Sequence, residues 1–461
     1  MTAALAPLHR GARSALTAAL AILAACGDNE PPPFEVAELM KPETCMTCHP
    51  THYREWSGSM HAYAADDPVF LAMNKRGQAD TAGALGDFCV KCHAPLAVQL
   101  GLTRDGLNLA EVPQWAKGVG CYFCHNVIDV QGTHNNPLLL AMDQTLRGGF
   151  RDPVRNAAHR SAYSPLVDAD SPQSSKMCGA CHDIVTPRGV HLERTFAEWQ
   201  STIFAQDNPQ RHLSCGECHM ISNTDVIAED PAVSVKLRPS GRREHTFAGV
   251  DVALTAWPER PAQRAAIERD LAATVQAKLC VLPTNGGEIT LKLDLVGAGH
   301  AWPSGAAHDR RAWAEVIAYN AAGEVVLSSG VVPADKDPEE ISDPYLFGLW
   351  DRTFDERGRP AKFFWEVARV ESQLLKPAVT VDRFDPRFDH STTKSYPLGA
   401  LRPDIVRVTA RVLIRPLPLR LFDALAGDGL SPALKAELPT LELRGTALEW
   451  TPARAVNLCV E

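Results

Sequence analysis

The chain lacks several features that would place it in a common enzyme or membrane-protein class. From residue 27 onward, no stretch of its 461 residues is apolar enough to cross a bilayer, which excludes a membrane-spanning protein. Residues 286–461 contain neither a glycine-rich phosphate loop nor a serine-nucleophile motif, and their acidic residues form no catalytic pair. The sequence therefore gives no support to a nucleotide-dependent enzyme or a serine hydrolase.

An excess of positive charge is also missing. The 46 lysines and arginines are outnumbered by 55 aspartates and glutamates, and the formal net charge is −9. If residues 1–25 are removed as a signal peptide, Arg10 and Arg13 are lost and the charge becomes −9 − 2 = −11. This acidic balance argues against nucleic acid as a partner.

Cysteine, by contrast, is abundant and strongly patterned. Ten of the 13 cysteines fall in five C-x-x-C-H pentapeptides, at 45–49, 89–93, 121–125, 178–182 and 215–219. This pattern attaches c-type haem, because two thiols three residues apart form thioethers with one haem and the adjacent imidazole reaches its iron. A C-x-x-C pair alone would also suit zinc or a redox dithiol, but the histidine after all five pairs favours haem. The sequence predicts five covalently bound haem c groups.

The predicted attachment sites have identical chemistry. The attachment cysteines are Cys45, Cys48, Cys89, Cys92, Cys121, Cys124, Cys178, Cys181, Cys215 and Cys218. The proximal iron ligands are His49, His93, His125, His182 and His219. An iron with one histidine has an open face, and what fills that face separates an electron carrier from an enzyme.

Histidines outside the motifs are the candidates for the sixth, distal iron ligand. The predicted set is His61, His134, His159, His245 and His300. His61 follows His49 by about 18 Å of helix, so it suits a neighbouring iron better than that of its own motif. The reserves are His52, His191 and His212, whereas His308 and His390 are not expected to bind iron. The alternative for each is a surface or hydrogen-bonded histidine.

The N-terminus predicts export. Basic residues precede a short apolar run at 14–25, which ends in Leu23-Ala24-Ala25-Cys26 and looks like a bacterial lipobox. Residues 1–25 would then be a lipoprotein signal peptide, Cys26 the lipidated residue, and 26–40 a proline-containing tether. The alternative is an ordinary cleaved signal. The protein is expected on the periplasmic or cell-surface side of a bacterial membrane, and Gly27 in place of an aspartate favours the outer membrane.

The rest of the chain divides by its hydrophobic periodicity. Residues 41–257 are predicted to form a mainly α and irregular pentahaem cytochrome c domain, with helices at 51–63, 66–75 and 193–205. Residues 258–285 form a connecting segment with one helix over 258–279. Period-two patterns then predict a β-sandwich-like domain over 286–461. Its expected strands include a hairpin around Asn320-Ala321-Ala322-Gly323 and segments at 362–371, 404–414 and 440–449, with short helices at 419–426 and 431–437.

Two cysteines remain outside the haem motifs and the lipobox. A disulfide between Cys280 and Cys459 would tie the start of the last domain to its end. On the chain-entropy model, it would contribute roughly 4–5 kcal/mol. The alternative is a pair of unpaired, buried cysteines.

These motifs resemble those of multihaem c cytochromes of the tetrahaem-cytochrome and hydroxylamine-oxidoreductase superfamily. The resemblance includes Ser59-Met60-His61-Ala62 after the first motif, Thr195-Phe196-Ala197-Glu198-Trp199 after the fourth, and Gly299-His300-Ala301-Trp302-Pro303 in the β-domain. It implies that His61, His159 and His245 are distal ligands and that neighbouring haems stack as a relay. Pentahaem nitrite reductases attach their active haem through C-x-x-C-K, whereas all five motifs here end in histidine.

Two main functions follow from this reading. The first is an electron carrier with mostly bis-histidine haems, which exchanges electrons with other redox proteins and meets the membrane through its lipid anchor. The second is an oxidoreductase in which one five-coordinate haem acts on a small nitrogen or sulfur compound. The third haem is then the expected open site, because His134 is the weakest distal candidate. The β-domain could dock the cytochrome onto another exported complex or cap the last haem through His300.

Overall fold

The computed structural model describes residues 33–206, 208, 210–230, 235–282, 287–399 and 404–454. Cys26, Cys459 and the predicted signal peptide lie outside these residues, so the lipidation and the disulfide pairing stay predictions. Cys280 itself is disulfide-bonded. Within the described ranges, no helix is long and apolar enough to cross a membrane.

Short helices build the first half of the chain. They are Val36–Leu39, Pro42–Met46, Pro50–Ser57, Met60–Tyr63, Pro68–Asp80, Val90–His93, Pro95–Gln99, Cys121–His125, Ser174–Gly179, Thr195–Gln200 and Cys215–His219, with a 3₁₀ turn at Gln114–Ala116. Pro42, Pro50, Pro68 and Pro95 each open a helix. Proline is well suited to this first position because its fixed φ is already helical and its missing N–H would be unpaired there.

The predicted helices of this half are present with different bounds. The helix expected at 51–63 is interrupted at Gly58, and Ser59 caps its second part by accepting a hydrogen bond from the Ala62 N–H (3.3 Å). The helix expected at 66–75 extends to Asp80. The segment predicted at 193–205 starts in a strand and is helical only over Thr195–Gln200.

Small two-stranded ladders join the motifs. The strands are Val127–Val130 with Leu138–Leu140, Thr145–Gly148 with Arg160–Tyr163, Asp183–Val185 with His191–Arg194, and Ser222–Asn223 with Arg242–Arg243. Three of these pairs are antiparallel, and Thr145–Gly148 pairs with Arg160–Tyr163 in parallel. After the last motif the chain returns to the first one, where the Ile227 carbonyl accepts a hydrogen bond from His49 (2.6 Å).

The connecting helix is shorter than predicted. It spans Arg260–Thr274, and the chain continues directly into the strand Val275–Val281. Leu271, Val275 and Leu279 are spaced four apart, which fits a helix, but Val275, Leu279 and Val281 also lie on one face of a strand. Pairing with Glu288–Leu295 decides in favour of the strand.

The C-terminal half is rich in antiparallel strands. They are Glu288–Leu295, Arg311–Asn320, Val325–Ser329, Phe347–Leu349, Asp351–Phe354, Arg369–Ser372, Thr392–Pro397, Ile405–Arg415, Leu441–Glu442 and Leu448–Trp450. The helix Leu419–Ala424 and 3₁₀ turns at Pro338–Glu340, Phe364–Glu366, Ala426–Asp428, Pro432–Glu437, Arg444–Thr446 and Pro452–Arg454 interrupt them. The predicted hairpin forms between Arg311–Asn320 and Val325–Ser329. The strand expected at 362–371 is instead a 3₁₀ turn followed by Arg369–Ser372.

Two sheets share one hydrophobic core in this half. Thr392–Pro397, Glu288–Leu295 and Val275–Val281 form a three-stranded sheet, and Arg311–Asn320 and Ile405–Arg415 are the central pair of a six-stranded one. Side chains of both sheets, such as Leu291 and Val412, belong to the same buried cluster. The two sheets therefore form a single packed unit.

A buried acid holds the end of the six-stranded sheet. The Asp337 carboxylate has no exposed surface, and it accepts hydrogen bonds from the Leu419 N–H (2.7 Å), the Arg420 N–H (3.0 Å) and Arg415 Nη1 (3.3 Å). Removing one partner of a buried ion pair leaves the other charge uncompensated. Asp337→Ala is therefore expected to lower the free energy of unfolding by about 3–5 kcal/mol. Chemical denaturation checks this, and the exposed Asp335→Ala should change it by less than about 0.5 kcal/mol.

Candidate haem-binding core

Each C-x-x-C-H motif forms one helical turn. The His49 N–H donates to the Cys45 carbonyl (2.8 Å), and the His182 N–H donates to the Cys178 carbonyl (3.1 Å). Residues three and four apart lie on one face of such a turn. The two thiols and the imidazole of a motif therefore face the same space, as attachment of one haem requires.

Four proximal imidazoles are fixed through Nδ1. The acceptors are the carbonyl oxygens of Ile227 for His49 (2.6 Å), Ala64 for His93 (2.9 Å), Arg147 for His125 (2.6 Å) and Ala248 for His219 (2.9 Å). Donation from Nδ1–H to a carbonyl fixes the tautomer with a lone pair on Nε2, which is the usual outer-shell arrangement of metal-bound histidine. The rings are thus oriented for a metal at Nε2.

Burial lowers the pKa of the proximal His182 to about 4. At neutral pH its imidazole is therefore uncharged and keeps the lone pair that a metal needs. Two thiols and an imidazole on one helical turn are the groups that a covalently attached haem requires.

Three proximal rings each face a second histidine. The ring centroids are 6.2 Å apart for His61 and His182, 6.3 Å for His125 and His245, and 6.3 Å for His219 and His300. Two imidazoles on opposite sides of one metal, with bonds of about 2.0 Å and about 1.1 Å from nitrogen to ring centre, would have centroids about 6.2–6.3 Å apart. The three spacings therefore fit an iron held between each pair.

The three facing histidines are neutral. Burial lowers the pKa of His61 to about 3, that of His245 to about 3 and that of His300 to about 4. A neutral imidazole keeps the lone pair that a metal needs. Nδ1–H of His245 donates to the Arg243 carbonyl (3.0 Å), and that of His300 donates to the Ala301 carbonyl (2.9 Å).

The other two predicted distal ligands differ from each other. His159 lies near enough to His49 to interact with it electrostatically, and its Nδ1–H donates to the Arg160 carbonyl (3.1 Å). His134 is exposed and hydrogen-bonds to the Thr133 hydroxyl (3.1 Å). Among the described residues, it makes no ring contact with a proximal histidine. The structure therefore does not bring His134 to any of the five sites.

The sequence ranks His52 only as a reserve candidate for a distal iron ligand, whereas in the structure its ring contacts two other histidines. Its ring lies edge-on to His49 (5.7 Å) and to His245 (4.8 Å), and burial lowers its pKa to about 2. It thus lies between the proximal histidine of the first motif and the facing histidine of the third. No local sequence signal marks this position, because the packing depends on residues almost 200 positions away.

The second motif has a different neighbour. The His93 ring is stacked on Phe70, with centroids 4.0 Å apart and planes within 5°. Within the part of the chain that the structure describes, no histidine ring contacts His93. The expectation that the third haem lacks a distal histidine is therefore not supported, because His245 faces His125. The first and second motifs are the two whose proximal rings have no facing imidazole among the described ring contacts, and of these only His49 lies beside another histidine.

The motifs touch one another through their cysteines. Cys45 lies close enough to Cys121, Cys178 to Cys215, and Cys92 to Cys181 for each pair to shift the pKa values of its thiols. Cys124 also interacts electrostatically with Cys178 and Cys181. The attachment edge of the first motif thus adjoins that of the third, and the fourth motif adjoins the second, third and fifth.

Comparisons with known proteins agree with this core. The family model of cytochrome c554 and c-prime matches residues 44–126, which contain the first three motifs. A penta-heme cytochrome c552 from Thermochromatium tepidum has a similar structure, with a TM-score of 0.61 and 19% identity, covering 91% of this chain and 100% of that one. At this identity, the likeness shows the fold. No curated protein matches the sequence. The motifs, the family model and the fold together support a multihaem c-type cytochrome with an electron-carrying role.

Proposed function

We propose that the protein is an exported, lipid-anchored pentahaem c-type cytochrome that carries electrons along a relay of mostly bis-histidine haems. The observation that supports this most is the 6.2–6.3 Å spacing of three imidazole pairs. Two sheets with one shared core support a β-sandwich-like C-terminal domain. Its role is to complete the haem core through His300, with docking to another exported complex as the alternative.

Ring spacing supports three of the proposed ligand sets: His125 with His245, His182 with His61, and His219 with His300 would each hold one iron. For the first haem, His159 would join His49, which rests on the resemblance and on its electrostatic interaction with His49. The second haem has His93 and no distal histidine. Histidine on both sides of an iron leaves no position for a substrate, which suits electron transfer.

The cysteine contacts suggest the order of the relay. Electrons would pass between the first and third haems, then to the fourth, where the second and fifth join. In this order the first, second and fifth haems are the ends of the relay, and a redox partner would exchange electrons with one of them.

The chain's own residues prepare each site for this role. Bound haem supplies the electron-accepting centre. The backbone carbonyls at 64, 147, 227 and 248 hold the proximal rings, and burial keeps His61, His245 and His300 neutral. Fixed neutral ligands undergo little reorganisation when the charge on the iron changes. Exclusion of water by the surrounding protein also tunes the potential of each haem.

The lipid anchor gives a separate test of localisation. Cys26→Ser is expected to move the protein from the membrane fraction to the soluble fraction, because no described helix holds it in the bilayer. Fractionation with immunoblotting measures this. Gly27→Asp is the matched control, since it keeps the lipidated cysteine and should change only the membrane that is reached. Membrane retention of Cys26→Ser would contradict the anchor.

The surroundings of His93, whose ring is stacked on Phe70, favour a second function. An iron without a distal histidine could bind a small nitrogen or sulfur compound, so the second haem replaces the third as the candidate reactive site. Turnover of nitrite, hydroxylamine and tetrathionate should be assayed on the holoprotein. Activity that disappears in Cys89→Ala/Cys92→Ala would support the enzyme, and absence of turnover would leave the carrier.

A further inference from the structure

The loop that carries His300 is bound to the helix Thr195–Gln200 of the haem region. Ala301 N–H donates to Glu198 Oε2 (3.1 Å), and Ser304 Oγ donates to the same oxygen (3.5 Å). Gly305 N–H donates to Thr195 Oγ1 (3.1 Å). Ala301, Ser304 and Gly305 of the loop are thus held by the side chains of Thr195 and Glu198, which lie one helical turn apart.

The peptide after His300 connects this attachment to the imidazole. Ala301 donates its N–H to the Glu198 carboxylate and accepts the His300 Nδ1–H at its carbonyl (2.9 Å). The backbone of one residue therefore fixes both the loop and the ring. A shift of Ala301 would change the direction of His300 Nε2, which faces the His219 ring.

Glu198 is itself rigidly held. Its side chain is 18% exposed, and Arg194 Nε lies 3.5 Å from Glu198 Oε1. Arg194 also pairs with the fully buried Asp351 carboxylate (2.7 Å). At the start of the helix, Asp183 accepts the Phe196 N–H (2.7 Å). Asp183 directly follows the proximal His182, so the helix connects a ligand of the fourth haem to the loop of the fifth.

We propose that Glu198 is a positioning residue that holds His300 as the sixth ligand of the fifth haem. This rests on the proposed ligand set, and it gives a role to a residue that the sequence marks only as part of the segment Thr195-Phe196-Ala197-Glu198-Trp199. The carboxylate acts from the haem region on a loop of the β-rich region. The fifth haem is therefore completed only when the two regions are docked.

The experiment compares four variants of the full-length holoprotein. Glu198→Ala removes the acceptor, Glu198→Gln keeps an acceptor oxygen, and His300→Ala removes the proposed ligand. Glu356→Ala is the matched control, because it breaks another ion pair between the two regions, Arg188–Glu356, without contacting the 299–305 loop. Haem content and circular dichroism confirm folding of each variant.

The readouts are the high-spin signal in electron paramagnetic resonance and the rate of cyanide binding to the oxidised protein. His300→Ala should gain one high-spin haem relative to wild type. Glu198→Ala should gain a smaller high-spin fraction and bind cyanide at this haem roughly tenfold faster or more. Glu198→Gln should lie nearer to wild type, and Glu356→Ala should match wild type.

Three outcomes would overturn the proposal or the ligand set on which it rests. If His300→Ala gains the signal but Glu198→Ala and Glu198→Gln do not, the positioning role of Glu198 is wrong and the ligand set stands. If His300→Ala itself is unchanged, His300 is not the sixth ligand, and the proposed ligand set fails with it. Equal effects of Glu198→Ala and Glu356→Ala would assign the change to general docking and would also overturn the proposal.

Discussion

Replacement of Cys121 and Cys124 by alanine is expected to leave four haems and to separate the first haem from the other three. The thiol pair Cys45–Cys121 and the approach of Cys124 to Cys178 make the third haem the connection between the first and the fourth. Loss of the third haem should therefore stop electron transfer between the first haem and the others within one molecule.

Pulse radiolysis with substoichiometric reductant measures this separation. In wild type, electrons should redistribute over all haems at a rate independent of protein concentration. In Cys121→Ala/Cys124→Ala, the first haem should equilibrate only by collision between molecules, at about 1–100 s⁻¹ for about 10 μM protein. Cys89→Ala/Cys92→Ala is the matched control, because it also leaves four haems but keeps the first, third, fourth and fifth in contact. Concentration-independent redistribution in both variants would contradict the proposed order.

Replacement of His61 by alanine should have the largest effect on a single haem. His61 faces His182 of the fourth motif, which adjoins three other motifs. Removing this imidazole should convert the fourth haem from low spin to high spin. Its potential should shift by on the order of 0.1 V, a fraction of the roughly 0.8 V over which axial ligands set haem potentials.

Spectroelectrochemical titration and electron paramagnetic resonance measure these changes. His134→Ala is the matched control, because His134 is exposed and contacts no proximal ring among the described residues. A new high-spin haem in His134→Ala, or none in His61→Ala, would reverse the assignment of these two histidines.

The sequence predicts the chemistry of this core better than its geometry. Each C-x-x-C-H motif is local, so thiols and imidazole are brought together by one helical turn. About 18 Å of helix would separate His61 from His49, which predicts that His61 does not bind the iron of the first motif. In the structure, His61 lies opposite His182 of the fourth motif. Which proximal histidine faces which distal one depends on contacts between segments 81 to 121 residues apart, such as His125 with His245, and no periodicity encodes those contacts.

The differences between prediction and structure have physical causes. The position of His134 between two motifs makes it a candidate ligand, whereas in the structure its side chain is exposed. The four-residue spacing of Leu271, Val275 and Leu279 predicts a helix, but Val275 and Leu279 also fit one face of the strand Val275–Val281. Glu198 was noticed only as part of a motif, and its contact with the His300 loop required the docked β-rich region. In general, local patterns were predictable, and contacts between the two halves were not.

The most direct test of the central proposal is electron paramagnetic resonance of the oxidised holoprotein, with the haem content measured by the pyridine haemochromogen assay. The account predicts five haems, of which four are low-spin and bis-histidine. It also predicts that any high-spin component amounts to one haem and disappears in Cys89→Ala/Cys92→Ala. Fewer than five haems, or high-spin signals from two or more of them, would contradict the relay.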